Sequence, residues 1–415
     1  MDGEEQRMII KKVEAQPVTD SVLSAECLPT KNIGLRGVVV ADSAICKVDG
    51  QNGILLYRGY DIQTLAENST FEEVTHLLLK GSLPTAAELD ELRTILAQER
   101  YLPGAVVAAF RALPRDSKPM DVLQAAVSLL AADDPDLDHD DKDANYRKAL
   151  RLTARFPLAV AAWHRIRQGL DPVEARPDLS HAANFLYTLS GEIPDPQTAR
   201  DMDVALILHA EHSFNASTFT CRQVASTQAH LYASISAAMG ALSGALHGGA
   251  NERVLRMLEK IGSIDKVEAY VAKTLDEGGK IMGMGHAVYK TIDPRAKYLG
   301  PMALRLSEKA GDFTWYNMSE KVRLFTAEEF KKRKNIEIYA NVDFYSATLY
   351  KLMGIPMDLF TPIFAVARVV GWAAHYLEET YAEAQPKPAL YRPKAEYVGR
   401  YCGEEACQFV PLDER

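Results

Sequence analysis

Apolar residues recur every three or four positions through most of this chain, the spacing that gathers them on one face of a helix. Within residues 70–80, Phe71, Val74, Leu77 and Leu78 hold such a face, and Pro84 follows as a stop. Residues 86–98, 119–131, 146–168 and 181–190 read the same way, and helices at 346–353 and 362–384 precede a Pro-rich tail from Gln385. Residues 221–246 are rich in Ala, Ser and Gly, whose small side chains allow close helix approach, and read as one buried helix suited to a subunit interface. Only residues 36–57 change period: β-branched residues flank an Asp-Gly/Asn-Gly pair, which predicts a β-hairpin. The acidic run 133–143 breaks the helical pattern and reads as a solvated loop. It lacks the glycine and terminal glutamate of a calcium loop. Residues 1–33 are polar and irregular, an N-terminal arm. The pattern predicts an all-α (mainly α) protein with a small N-terminal β-hairpin and no tandem repeat.

The length, 415 residues, suffices for two domains or for one domain inserted into another. A hydrophobic share of 47% with 25% charged residues is that of a soluble globular chain with a sizeable core. The net charge of −9 argues against general nucleic-acid binding, for which there is no basic excess, and leaves room for a local basic pocket. Five scattered cysteines, Cys27, Cys46, Cys221, Cys402 and Cys407, suit a reducing compartment. Cys402 and Cys407 lack the second ligand pair of a zinc clasp and read as free thiols. The first five residues are too acidic for a targeting segment, and no stretch approaches the ~18 apolar residues of a membrane span. The cytoplasm is the expected compartment, with no membrane partner.

Chemistry concentrates at glycine-flanked corners. His247 lies in Leu246-His247-Gly248-Gly249, before an amphipathic run through Val254, Leu255, Met257 and Leu258. It is either a packing histidine in a tight turn or a neutral hydrogen-bond donor, since the field of a helix N-terminus disfavours the imidazolium. His286 follows Gly283-Met284-Gly285. The glycine pair lacks a third glycine and a preceding strand, so it is not a dinucleotide loop. The turn Asp293-Pro294-Arg295 either leaves its arginine in solvent or aims it back toward His286, where its fork would suit a carboxylate. Asp343 opens a helix near Phe344, as an N-cap or as an exposed base in a cleft. Arg368 sits within the apolar run Ile363–Val370, so its head either reaches solvent or holds an anion. His209 and His212 share a helix face at i, i+3, but no third ligand follows, and no metal is expected.

Taken together, residues 34–60, 206–222, 240–256, 282–299, 339–352, 361–378 and 389–399 resemble segments of the citrate synthase family in the same order. The likeness covers nearly the whole chain from about residue 34 and is nearest the short bacterial and archaeal forms. It implies a two-domain helical fold: a large domain from 34–234 and 346–415, and a small domain from 235–345 that closes over substrate. It also implies a homodimer, or a higher homo-oligomer. Asp343 would remove a methyl proton from acetyl-CoA, His247 would hold the thioester oxygen, and His286 would polarise the carbonyl of oxaloacetate. His212, Arg295 and Arg368 would bind the oxaloacetate carboxylates, with Arg392 reaching in from the partner subunit. Lys290 would meet CoA phosphates, and Gly248, Gly285 and Ala287 would lie along the CoA path. No cofactor is implied beyond the CoA thioester, which is a substrate of this first step of the tricarboxylic acid cycle.

Residues 313–335 and 379–390 look longer than the compact forms, and Ala287 stands where many of them carry arginine. The nearest rival expectation is 2-methylcitrate synthase, acting on propionyl-CoA. A citryl-CoA lyase and a non-catalytic helical scaffold are further alternatives. One methylene shifts binding by only ~1–3 kcal/mol, so pocket shape decides the first rivalry.

Overall fold

The computed structural model describes residues 33–35, 37–399 and 407–415. The expected arm, apart from Ile33, lies outside the described residues, as do Cys27 and Cys402. The described residues fall into two units, one ending at Asp42 and the other starting at Ser43. In the first, a 3-10 turn covers Ile33–Leu35.

The second unit begins with an antiparallel sheet of β1 (Cys46–Asp49), β2 (Ile54–Tyr57) and β3 (Tyr60–Asp61), in that order, with Asp49 opposite Ile54 across the turn. The hairpin is shorter than expected at its N-terminal side and gains a third strand. Helices follow: α1 (Ile62–Asn68), α2 (Phe71–Lys80), α3 (Ala86–Glu99), α4 (Gly104–Ala112), α5 (Pro119–Ala132), α6 (Lys142–Arg167), α7 (His181–Ser190) and α8 (Pro196–His209). Then come α9 (Ala216–Ala225), α10 (Leu231–Ser243), α11 (Ala250–Ile261), α12 (Val267–Asp276), α13 (Ala296–Ala310), α14 (Thr314–Lys334), α15 (Val342–Leu352) and α16 (Phe360–Thr380).

Local chemistry sets the ends. Thr70 and Glu73 close a capping box on α2, and Gly81 ends it in a left-handed conformation. The 221–246 stretch is two helices, not one. Gln228 takes a positive φ of 63° and His230 caps α10 through Ala233 N, so the chain turns there. The acidic run is only partly the solvated loop it resembles. Asp134 is buried against Arg151 at 2.8 Å, and Asp136 pairs with Arg147 and Arg151. Asp141 caps α6.

α16 is the spine of the core. It packs against α2, α6, α8, α9 and α10, and nearly every side chain from Phe360 to Glu379 is buried. The segment Met357–Thr380 is long and apolar enough to cross a membrane by composition, which the sequence reading overlooked, but 83% of that window is buried inside the protein. Several of its polar residues find partners inside the protein. Glu378 and Glu379 each lie 2.6 Å from the guanidinium of Arg222 on α9, and His375 lies 3.0 Å from Glu211. Cys46 and Cys221 are free, whereas Cys407 is disulfide-bonded, contrary to its reading as a free thiol.

Candidate active site

A cavity of about 530 Å³ opens where the loops after α8, α10 and α12 meet the first turn of α15 and the middle of α16. His212, His247, Gly248, His286, Ala287, Arg295, Asp343 and Arg368 all line it.

His247 is held by a helix, though not the one expected. Its Nε2 accepts from the Ser217 amide at 3.1 Å, in the first turn of α9, and lies 2.8 Å from Ser217 Oγ. An amide can only donate, so Nε2 carries no proton and the neutral ring presents Nδ1–H. Burial, and then Arg368, hold the pKa down to about 4. Gly248 serves the chain itself: a Cβ there would lie 1.8 Å from Leu242 O, so no other residue fits this corner.

His286 has the opposite tautomer. Its Nδ1 accepts from the amides of Val288 at 3.0 Å and Tyr289 at 3.1 Å, leaving the proton on Nε2. Burial, then Arg295, lower its pKa to about 4. The loop is tied to the start of α15, because Asn341 Nδ2 donates to Gly285 O at 2.8 Å and Gly285 N to Tyr339 O at 2.7 Å. The position of His286 is thereby set relative to Asp343.

Asp343 is not the N-cap. Asn341 is, accepting from Asp343 N at 3.0 Å. The Asp343 carboxylate is therefore released from capping, takes no hydrogen bond among the described residues, and is half-buried at the cavity. Desolvation raises its pKa to about 6 against the pull of Arg295.

The two arginines differ. Arg295 gives Nε and Nη2 to Asp293 at 3.0 and 2.8 Å, and Asp293 Oδ2 also accepts from Val342 N at 3.2 Å. That carboxylate thus locks Arg295 to the helix bearing Asp343. Arg368 gives Nε to His209 O at 2.7 Å, but its buried Nη2 has no partner. Asn251 Nδ2, on another lining residue, is likewise a buried donor without a partner. Unpartnered buried donors on a cavity wall are places for an anion or a carbonyl. His212 lies just beyond α8 with its ring 5.7 Å from that of His286, and burial followed by Arg295 and Arg368 keep it neutral. His209 does not join it. Its Nδ1 donates to Ala205 O at 2.7 Å and its ring packs on Phe364, so the expected i, i+3 pair is split by the end of α8.

Three sequence candidates fall outside the cavity. Gly285 and Lys290 line a smaller cavity of about 240 Å³ behind His286. Arg392 is exposed in the C-terminal tail. Ser217, Asn251, Asp293 and Tyr289 were missed as site residues. Asp293 stood in the noted Asp-Pro-Arg turn. The side chains of Ser217 and Tyr289 meet His247 and His212 across 30 and 77 positions, and Asn251 Nδ2 has no partner, so none of the three carries a local signal.

The β1–β2 turn presses on the His286 loop. Gly50 O accepts from Lys290 N at 2.8 Å, and a Cβ at Gly50 would stand 2.3 Å from Val288 O. Gly50→Ala is expected to displace the loop and lower kcat/KM by about tenfold or more, with the far-ultraviolet circular dichroism unchanged. A wild-type kcat/KM in a folded variant would show that His286 tolerates the shift.

Two neutral imidazoles of opposite tautomer, lining one cavity with a half-buried carboxylate and with unpartnered guanidinium and amide donors, make an acid–base enzyme on a helical scaffold. Residues 34–394 match the family model described as citrate synthase, C-terminal domain. The chain is 45% identical to citrate synthase 2 of Bacillus subtilis over 387 residues, 93% of this chain and 100% of that protein. It is 46% identical to citrate synthase of Haloferax volcanii, covering 92% and 98%. It is also 37% identical to 2-methylcitrate synthase of Shewanella oneidensis, covering 88% and 94%. Among solved structures, citrate synthase of Pyrobaculum aerophilum superposes with a TM-score of 0.86 at 39% identity, covering 98% of this chain and 100% of that one. The Thermoplasma acidophilum enzyme, solved with carboxymethyl coenzyme A and oxaloacetate, superposes at 0.82 with 32% identity, covering 91% and 98%. The chain belongs to the citrate synthase family.

Proposed function

We propose that the protein condenses acetyl-CoA with oxaloacetate and water to give citrate and free CoA. The observation that carries this reading is that Nδ1–H of His247, Nε2–H of His286 and the half-buried carboxylate of Asp343 belong to residues lining one cavity. The methyl group of a thioester is a weak carbon acid, so a carboxylate can deprotonate it only while the developing oxyanion is stabilised. Asp343 takes the proton and His247 Nδ1–H holds the thioester oxygen. The enol(ate) carbon then attacks the keto carbon of oxaloacetate, whose oxygen receives the proton of His286 Nε2. Citryl-CoA results, and water cleaves its thioester. Arg368 Nη2, Arg295 and His212 bind the oxaloacetate carboxylates. The thioester is consumed as a substrate, and the steps need no further cofactor. Lys290, Gly248, Gly285 and Ala287 are proposed to follow the CoA moiety.

Residues 235–345 are proposed to close as a small domain. Polar pairs join α13 to α1 and α8, such as Tyr298 with the exposed Glu67 at 2.6 Å and the exposed Arg305 with the buried Asp201 at 2.6 Å, and such pairs can part and reform. Arg392 is proposed to complete a neighbouring site in a homodimer, its own side chain being exposed. Mixing Arg392→Ala with Asp343→Ala under subunit exchange is then expected to restore part of the activity, about a quarter of wild type if subunits pair at random. No recovery in proven heterodimers would refute a shared site. The cytoplasm is the proposed compartment; the free Cys46 and Cys221 support it, and the disulfide at Cys407 counts against it.

The test is free-thiol release with oxaloacetate, comparing acetyl-CoA and propionyl-CoA, with products identified by mass. A higher kcat/KM for acetyl-CoA supports the proposal. A preference for propionyl-CoA, the activity named for the Shewanella relative, would move the same residues to 2-methylcitrate formation. No release with either thioester would overturn both.

A further inference from the structure

We propose that Tyr289 is the positioning residue of the oxaloacetate side of the site, fixing His212 and His286 together from behind the cavity wall. The inference rests on the condensation reading for its kinetic consequences, but not for its geometry.

Tyr289 is 3% exposed and lines the small rear cavity rather than the main one. It touches both histidines. Its amide is one of the two donors on His286 Nδ1, at 3.1 Å. Its hydroxyl lies 3.1 Å from His212 Nε2. Its ring centroid stands 4.8 Å from the His286 ring, 5.6 Å from the His212 ring and 5.9 Å from the Arg295 guanidinium. Burial pushes the phenol pKa up, so the hydroxyl keeps its proton, while His212 is held neutral with a single N–H. Tyr289 O–H is assigned as the donor to Nε2, which puts the single N–H of His212 on Nδ1. Either direction of this hydrogen bond holds the orientation of the His212 ring, and the proposed direction also fixes its tautomer. A tyrosine serving only as packing would be matched by phenylalanine. Here the hydroxyl has one hydrogen-bond partner among the described residues, and that partner is a histidine of the cavity.

Tyr289→Phe keeps the ring and the amide and removes only the hydroxyl. Wild-type thiol release is measured first. The variant is then expected to raise KM for oxaloacetate about tenfold, with kcat and KM for acetyl-CoA changed by no more than about threefold, as loss of one well-aligned hydrogen bond predicts. Loss of packing alone would instead lower thermal stability without splitting the two KM values. Independently, ¹⁵N spectra of the imidazoles, with His212 assigned by His212→Gln, should show one fixed tautomer in the wild type and an averaged one in Tyr289→Phe. An unchanged KM for oxaloacetate, or an unchanged His212 tautomer, overturns the inference. If the wild type releases no thiol, the condensation reading fails, and the tautomer measurement still decides the role of Tyr289.

Discussion

Asp343→Asn is expected to lower kcat about 10³-fold in the thiol-release assay, within the range that a positioned base contributes. Asparagine matches the shape of the side chain, and no hydrogen bond to the carboxylate is lost, so the fold should be retained. In the wild type, burial lifts the Asp343 pKa to about 6, and the base acts only when ionised. The kcat/KM profile should therefore fall below about pH 6 with a slope of one. His247 and His286, each held near 4 chiefly by burial, stay neutral across this window and add no limb above about pH 5. The stability effect has the opposite sense. A carboxyl whose folded pKa lies above its unfolded value favours the fold while protonated, and that advantage disappears as pH rises from about 4 through 6. The variant, which cannot ionise, should thus match the wild type near pH 4 and melt at the same or a higher temperature at pH 8. More than a tenth of wild-type kcat in purified Asp343→Asn would sink the assignment.

Arg368→Met is expected to raise KM for oxaloacetate by about 10²- to 10³-fold, since truncating one partner of a buried charge pair weakens binding by about 2–5 kcal/mol. Methionine fills much of the same volume between Phe364 and the neighbouring helices. The Nη2 donor without a partner disappears with the guanidinium. KM for acetyl-CoA should move by no more than a few fold. An unchanged KM for oxaloacetate would remove Arg368 from the anion site. Arg295 is the less clean probe. Its fork already serves Asp293, which also binds Val342 N, so its removal would disturb the start of α15 as well as the ligand.

The helices that were legible, such as α2, α3, α5, α6, α7 and α16, carry their own periodicity and stops, whereas α8, α13 and α14 were not read from the sequence. Thr70, Glu73 and Gly81 punctuate α2 within the segment that also holds its apolar face. Where the stop was a conformation rather than a residue type, the reading failed. Gln228 is an ordinary helix former by composition, and only its positive φ separates α9 from α10. The site divides in the same way. The ionisable cavity residues His212, His247, His286, Arg295, Asp343 and Arg368 were legible through their glycine corners, the apolar run around Arg368 and the family resemblance. The residues that orient them were not. Ser217 lies 30 positions from His247, and Tyr289 lies 77 from His212. Such pairings leave no periodic trace in one chain.

By itself the sequence determined the helical class of the protein, the β-hairpin and the identity of the titratable groups, because these follow from local propensity and side-chain chemistry. The tertiary structure alone decided their state. Two histidines of the same residue type became donors at different ring nitrogens because amides from α9 and from the His286 loop reached different atoms. Asp343 became a base with a pKa near 6 because Asn341 took the capping role and burial removed its water. Tautomer and desolvation depend on which atoms meet across the fold, and that is settled only when distant segments pack.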